Sequence, residues 1–168
     1  MKFSNINLGK EVEIDPSTNI NNVILGDNVR IAKRCSIFGG PQNVLQINDN
    51  TYVGMNTIIN GFAEQVIIGS HVSIAQSVSI ICDSGPNASP QLQRLFPIEK
   101  GPITIGNHCW IGAFSMIMPN VVLGDFCVVA ANSFVKKSFP SYSIIGGTPA
   151  RLIRKLTNAE IEKLLKND

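Results

Sequence analysis

Leu, Ile or Val recurs at every sixth residue along almost the whole of this chain, and that interval limits what it can fold into. The series runs Leu8, Ile14, Ile20; Leu25, Ile31, Ile37; Ile47, Val53, Ile59; Ile68, Ile74, Ile80; Ile105, Ile111, Ile117; and Leu123, Val129, Val135. A step of six turns an α-helix through about 600°, so these residues would not share a helical face. Self-similarity at a fixed period marks instead a repeat architecture, in which each unit buries its apolar face against the next. Two residues before each aliphatic stands a small, β-branched or aliphatic residue, among them Val12, Thr18, Cys35, Thr51, Cys109, Ser115, Cys127 and Ser133. Residues i and i−2 of a strand point to one face, so each hexad reads as one short strand and one turn. Gly follows the large aliphatic at Gly9, Gly26, Gly54, Gly69, Gly106, Gly112 and Gly124, where a corner is expected to need permissive backbone angles.

The interruptions fall in one place. Ile20 to Leu25 is 5 residues, Ile37 to Ile47 is 10, Ile59 to Ile68 is 9 and Ile80 to Ile105 is 25. If three hexads make one turn of a triangular solenoid, each irregularity lies at the same corner, after the third hexad. The expected fold is all-β: a parallel β-helix of six 18-residue coils, stacked about 4.8 Å apart into a prism about 29 Å long. The expected organisation is a prism over residues 1–148 with a protruding loop at 81–100, then a C-terminal extension at 149–168. Thr157 and Glu160 have capping-box spacing, and Ile161, Leu164 and Leu165 form an apolar stripe, so a short helix is expected to fold back there.

With 168 residues there is room for one core. A net charge of +2, without a long basic run, leaves no electrostatic footprint for nucleic acid. No run of 18 apolar residues suggests membrane insertion, and Met1 to Ile20 carries the strand pattern where a signal peptide would stand. The expectation is a cytoplasmic protein. Cys35, Cys109 and Cys127 share the inward small-residue column and read as reduced core fillers. Cys82 falls outside that column, at the start of the long insertion.

The stretch GPITIGNHCWIGAFSMIMPNVVLGDFCVVAANSFVKK, residues 101–137, and the later GGTPARLIRK, residues 146–155, carry a family resemblance. The chain resembles the hexapeptide-repeat acyltransferases, in particular the galactoside, maltose and colanic-acid type of sugar O-acetyltransferase. The resemblance implies a left-handed parallel β-helix, acetyl-CoA as acyl donor, a sugar, nucleotide-sugar or capsular polysaccharide acceptor, and a homotrimer with active sites between adjacent prisms. Ala113 and Ala131 are 18 apart, hence stacked on one corner of adjacent coils. In the resembling enzymes the matching positions contact acetyl-CoA, and their backbone N–H groups suit the pantetheine amides. The family also implies a phosphate-binding role for Lys136 and for Arg151 of the P-A-R triplet, with Lys137 and Arg154 adding charge.

The 19 extra residues between Ile80 and Ile105 form too long a loop for a simple corner, and loops of this size usually serve binding or assembly. In the family this arm reaches over a neighbouring subunit, and its start carries the catalytic histidine. Here the segment reads Asp83-Ser84-Gly85-Pro86-Asn87, without a histidine. Asp83 is the best-placed carboxylate to act as a base. Glu64, in the insertion one coil below at the same corner, is next. His71 and His108 are the two histidines of the chain, and each lies three residues after the first aliphatic of its coil. They are expected to stack about 5 Å apart on another corner, from which His108 could face a neighbour's cleft. Two histidines on one corner disfavour a zinc site of the γ-carbonic-anhydrase kind, and no metal is expected. Trp110 could stack on a sugar or pack at a subunit boundary. Beside O-acetyl transfer stand two alternatives: N-acetylation of an amino sugar or other small molecule, and a noncatalytic binding or scaffold protein.

Overall fold

The computed structural model describes residues 5–166. Its strands fall on three faces of a prism. The first face holds Ile6–Leu8, Val23–Leu25, Leu45–Ile47, Val66–Ile68, Ile103–Ile105 and Val122–Leu123. The second holds Glu13–Ile14, Arg30–Ile31, Tyr52–Val53, Ser73–Ile74, Trp110–Ile111 and Val128–Val129, then Ser143–Gly147 and Ala150–Lys155. The third holds Asn19–Asn21, Ser36–Gly39, Ile58–Gly61, Ser79–Ile81, Met116–Ile117 and Phe134–Val135. Within each face, aliphatics of successive coils pair in parallel register, for example Ile68 with Ile105 and Ile74 with Ile111. Six coils form the left-handed parallel β-helix, and the chain visits its faces in strict rotation.

Of the 18 hexad aliphatics, 16 are buried. The expected core fails at its first member. Leu8 is 54% exposed, and Ile14 is only half-buried, because a solenoid's end coil has a neighbour on one side only. The column two residues upstream is buried from Thr18 onward, and its hydroxyls are spoken for. Thr18 Oγ1 donates to Ala32 O at 2.7 Å, Thr51 Oγ1 to Gly69 O at 2.9 Å, and Ser115 Oγ to Ala130 O at 3.0 Å. All four cysteines are buried free thiols, Cys82 included. Cys82 lies outside the small-residue column, as expected, and is buried because the inward alternation continues two residues beyond Ile80 before the chain leaves the prism. Cys109, whose pKa is pushed up by hydrogen bonding with the neighbouring Cys127 thiol and by burial, is a core group.

The corners revise the role of the glycines. The left-handed backbone conformation falls three residues after the aliphatic, on Asn28 (φ 57°), Asn50 (φ 56°), His71 (φ 58°), His108 (φ 56°), Phe126 (φ 57°) and Asn132 (φ 58°). Such residues lie about 1–2 kcal/mol above the right-handed form when they are not glycine. Here each sends its N–H to the coil beneath: His71 to Asp49 O and His108 to Ser70 O, both at 2.9 Å, and Asn132 to Ala113 O at 2.8 Å. The glycines after the aliphatics answer close approach between coils instead. A Cβ on Gly106 would stand 2.6 Å from Asp125 N, and one on Gly112 would stand 2.5 Å from Ala131 N.

Beyond the sixth coil, Ser143–Gly147 pairs with Val128–Val129, and Ala150–Lys155 folds back antiparallel on it. Two short helices complete the described residues: α1 (Pro90–Gln93) on the arm and α2 (Asn158–Leu165) at the C-terminal end. The capping box at the start of α2 forms as expected. Glu160 N donates to Thr157 Oγ1 at 3.3 Å, and Thr157 N donates to Glu160 Oε2 at 2.7 Å. Arg154 grips the same carboxylate with two bonds, at 2.8 and 2.9 Å. Hydrogen bonds from Arg154 and Thr157 hold Glu160 down to about 2 from its ordinary 4.5. A depressed carboxylate pKa contributes stability that is complete above the ordinary value and lost as pH falls toward the folded one. Between pH 4.5 and about 2, α2 is therefore expected to fray before the prism does. Backbone amide shifts of Ile161 to Leu165 that stay unchanged to pH 2 would contradict this. Among the described residues no helix is long and apolar enough to cross a membrane.

Candidate active site

The three prism edges carry different chemistry. The edge between the third and first faces bears the insertions, and the long arm leaves it at Cys82. Gly101 N donates to Cys82 O at 3.0 Å, and Asp83–Ser84 pairs antiparallel with Glu99–Lys100, so the arm's root is a short ribbon. Gly85 lies so close to Ile98 that a Cβ would stand 2.8 Å from its Cα. Farther out, Ser89 caps α1, and Leu92, Leu95 and Phe96 expose 48%, 74% and 63% of their surface. The arm's far end is thus apolar.

Asp83 is half-buried at the root, and its Oδ1 accepts from Asn60 Nδ2 at 2.9 Å. Glu64 is half-buried on the same edge, where its backbone N–H points to Cys82 Sγ at 3.3 Å. The two acidic residues that the hexad phase puts at one corner are therefore both next to Cys82, Glu64 through its backbone. Asn60, near the end of strand Ile58–Gly61, and the 60%-exposed Phe62 also belong to this edge; no spacing marks them, because what they contact lies in the aperiodic insertions.

His108 lies elsewhere. On the edge between the first and second faces its ring stacks on His71 at 4.8 Å and 4°, close to the separation expected from the coil rise. Phe126 continues the stack at 4.7 Å, and Tyr142 adds a fourth ring at 5.4 Å. The phase could have found Phe126, three residues after Leu123; Tyr142, three after Phe139, lies beyond a four-residue step from Val135, and the Leu123–Phe139 bridge of the structure places it. A cleft of about 510 Å³ runs between this stack, the 57%-exposed Trp110 and Leu164 and Leu165 of α2. Within one chain, then, Asp83 and Glu64 share an edge that His108 does not.

The third edge, between the second and third faces, carries Ala113 and Ala131 in adjacent coils. Gly112 N donates to Val129 O at 2.8 Å beside them, and Thr148 Oγ1 donates to Asn132 O at 3.4 Å above. Ala113 and Ala131 leave backbone open to an extended ligand here, beside Phe114, which is 64% exposed on the same edge. Arg151 is exposed and registers with Gly146 at the top of the same edge. Lys136 is also exposed, but it follows strand Phe134–Val135 and lies across the third face, at the arm's edge. Lys137 packs over the Phe139 ring at 5.4 Å. Arg154 is ion-paired with Glu160, which leaves Arg151 the freer cation at this end. Among the described residues no three metal-ligating side chains converge.

Comparison with known proteins agrees with this architecture. The family described as bacterial transferase hexapeptide (six repeats) matches residues 102–137. The galactoside O-acetyltransferase of Escherichia coli (strain K12) is 34% identical over 117 residues, covering 69% of this chain and 56% of that protein. A probable macrolide acetyltransferase of Lysinibacillus sphaericus is 36% identical over 123 residues, covering 61% of this chain and 67% of the other. The matches thus span between about half and two thirds of these relatives' lengths. Among solved structures, AntD, an N-acyltransferase from Bacillus cereus in complex with dTDP and 3-hydroxybutyryl-CoA, superposes with a TM-score of 0.80 at 27% identity. That likeness covers 93% of this chain and 86% of AntD. The hexad repeat, the triangular prism and these likenesses together make the chain a member of the hexapeptide-repeat acyltransferase family.

Proposed function

We propose that this protein transfers an acyl group, acetyl in the simplest case, from coenzyme A to a sugar-type acceptor. The observation that carries the reading is the pairing of the stacked Ala113 and Ala131 on one edge with an arm whose root presents Asp83. On this reading the pantetheine chain lies along the alanine edge, with backbone N–H groups meeting its amides. Arg151 at the top of that edge, and Lys136 of an adjoining copy from its arm's edge, supply positive charge for the phosphates. The acceptor occupies the arm's edge, near Asp83 and Glu64.

The two edges belong to different corners of one prism, so a complete site needs a second copy to bring one edge against the other. The exposed Leu92, Leu95 and Phe96 of the arm support such a partner, and a homotrimer closes the arrangement with identical sites. A chain that stays monomeric by solution mass measurement would contradict it. Acyl-CoA and nucleotide sugars are cytoplasmic metabolites, which suits a cytoplasmic enzyme.

Acceptor chemistry follows from what the arm's root carries. Attack by a sugar hydroxyl needs a base in the transition state, and imidazole serves best near neutral pH. For O-acetylation the base would be Asp83 or Glu64, or His108 of an adjoining prism. An unprotonated amine is already a nucleophile, and a carboxylate suffices to orient it. The root of the arm bears Asp83 and no imidazole, which favours an amino-sugar nitrogen, free or nucleotide-linked. AntD, an N-acyltransferase, is a structural precedent for that chemistry on this prism.

Thiol release from acetyl-CoA, assayed with matched amino and hydroxy sugars, free and as nucleotide sugars, tests the proposal. Release with the amino acceptor well above the hydrolytic background is the expected result. Release with hydroxyl acceptors alone would turn the reading to O-acetylation. Binding of acetyl-CoA without release on any acceptor would leave the noncatalytic binding protein as the better account.

A further inference from the structure

We infer that Asn60 is a positioning residue for Asp83, an inference that rests on the acceptor-side role proposed above for that carboxylate. Asn60 lies near the end of strand Ile58–Gly61, in register between Phe38 of the coil below and Ile81 of the coil above. Its polar groups are committed to the place where the arm leaves the prism. The backbone carbonyl accepts from Cys82 N at 3.0 Å. The side-chain Oδ1 accepts from Phe62 N at 2.9 Å, and Nδ2 donates to Asp83 Oδ1 at 2.9 Å across 23 residues of chain.

These contacts leave one orientation for the amide. Oδ1 must face the Phe62 N–H, so the NH2 group must face the carboxylate. Asp83 is therefore held at one oxygen by a side chain that is itself held, and a bond to an ionised acceptor is among the stronger kinds. Its other oxygen, Oδ2, stays available to a group bound at the corner. Backbone pairing of Asp83 with Lys100 sets where its Cα lies, but not where its carboxylate points. Asn60 supplies that second constraint. Misplacement of a reacting group by about 1 Å can cost a hundredfold in rate, so a residue that only aims another can matter as much as one that touches substrate.

A double-substitution cycle on the full-length protein tests this. Asn60→Ser keeps an oxygen near the Phe62 N–H but is too short to reach Asp83. It is expected to lower acceptor-dependent kcat about tenfold, with the KM for acetyl-CoA unchanged. In an Asp83→Ala background the same substitution is expected to change kcat less than about twofold, because the group it positions is gone. An equal loss in both backgrounds would show that Asn60 merely supports the fold and would overturn the inference. So would wild-type turnover in Asn60→Ser alone. Should Asn60→Ser fail to fold, the isosteric Asn60→Asp takes its place in the cycle. It preserves the acceptor for Phe62, sets a second carboxylate against Asp83, and is expected to lose more activity than the serine variant. If the wild-type protein transfers to no acceptor, the functional proposal itself falls. An active wild type whose Asp83→Ala variant is unimpaired removes Asp83 alone, and Asn60 with it.

Discussion

Asp83→Ala is expected to lower acceptor-dependent turnover about a hundredfold, the loss that follows when a group orienting the acceptor is removed. The KM for acetyl-CoA should move less than about twofold if, as proposed, donor and acceptor bind at different edges of the prism. The fold should survive. The root of the arm is held by backbone bonds that alanine retains, Gly101 N to Cys82 O and the pairing with Lys100. Steady-state thiol release together with a melting curve would separate lost chemistry from lost structure. An unimpaired variant would move the acceptor-side role to Glu64, on the same edge, or to His108 of an adjoining prism.

Gly112→Ala is expected to cost about 3 kcal/mol of stability, the upper part of the usual range for overpacking. In a chain of this size that corresponds to a fall of about 8 °C in Tm. The added Cβ would meet Ala131 N at 2.5 Å, Val129 O at 2.7 Å and Ala130 C at 2.8 Å. All three are backbone atoms of the next coil, so relief requires parting two coils that are hydrogen-bonded along their length. Gly61→Ala is the matched control. Its Cβ would meet Leu45 Cδ1 and Val66 Cγ2 at 3.3 Å, the ends of side chains that can give slightly, and it should cost about 1 kcal/mol. Equal melting of the two variants would refute close approach as the reason for glycine at position 112.

Most of the prism was legible because one constraint, burial against the neighbouring coil, acts at every sixth residue in the same way. That constraint placed Ile74, Ile111 and 14 other aliphatics inside, and three cysteines beside them. It misled at Leu8, since periodicity does not report which coil lacks a neighbour. It gave no account of Cys82, where the alternation outlasts the hexad by two residues and buries the thiol. The glycine rule was right in position and wrong in cause: the left-handed residues are His71, Asn132 and their equivalents, and the glycines make room for backbone. Of the candidate site, the shared corner of Asp83 and Glu64 and the stacked histidines followed from phase alone. Phe126 would have followed had the same count been carried one coil further; Tyr142 would not, because the step from Val135 to Phe139 is 4 residues.

The sequence by itself determined which side chains turn inward, which corners stack and where the prism is interrupted, because each of these depends only on counting residues through a regular solenoid. Only the tertiary structure decided what the interruptions do. It tied Asn60 to Asp83 across 23 residues, joined Glu64 to Cys82 and turned the arm's apolar end outward. The reason is physical: an insertion leaves the period, so its contacts depend on the path of an aperiodic backbone and on hydrogen bonds that no spacing encodes.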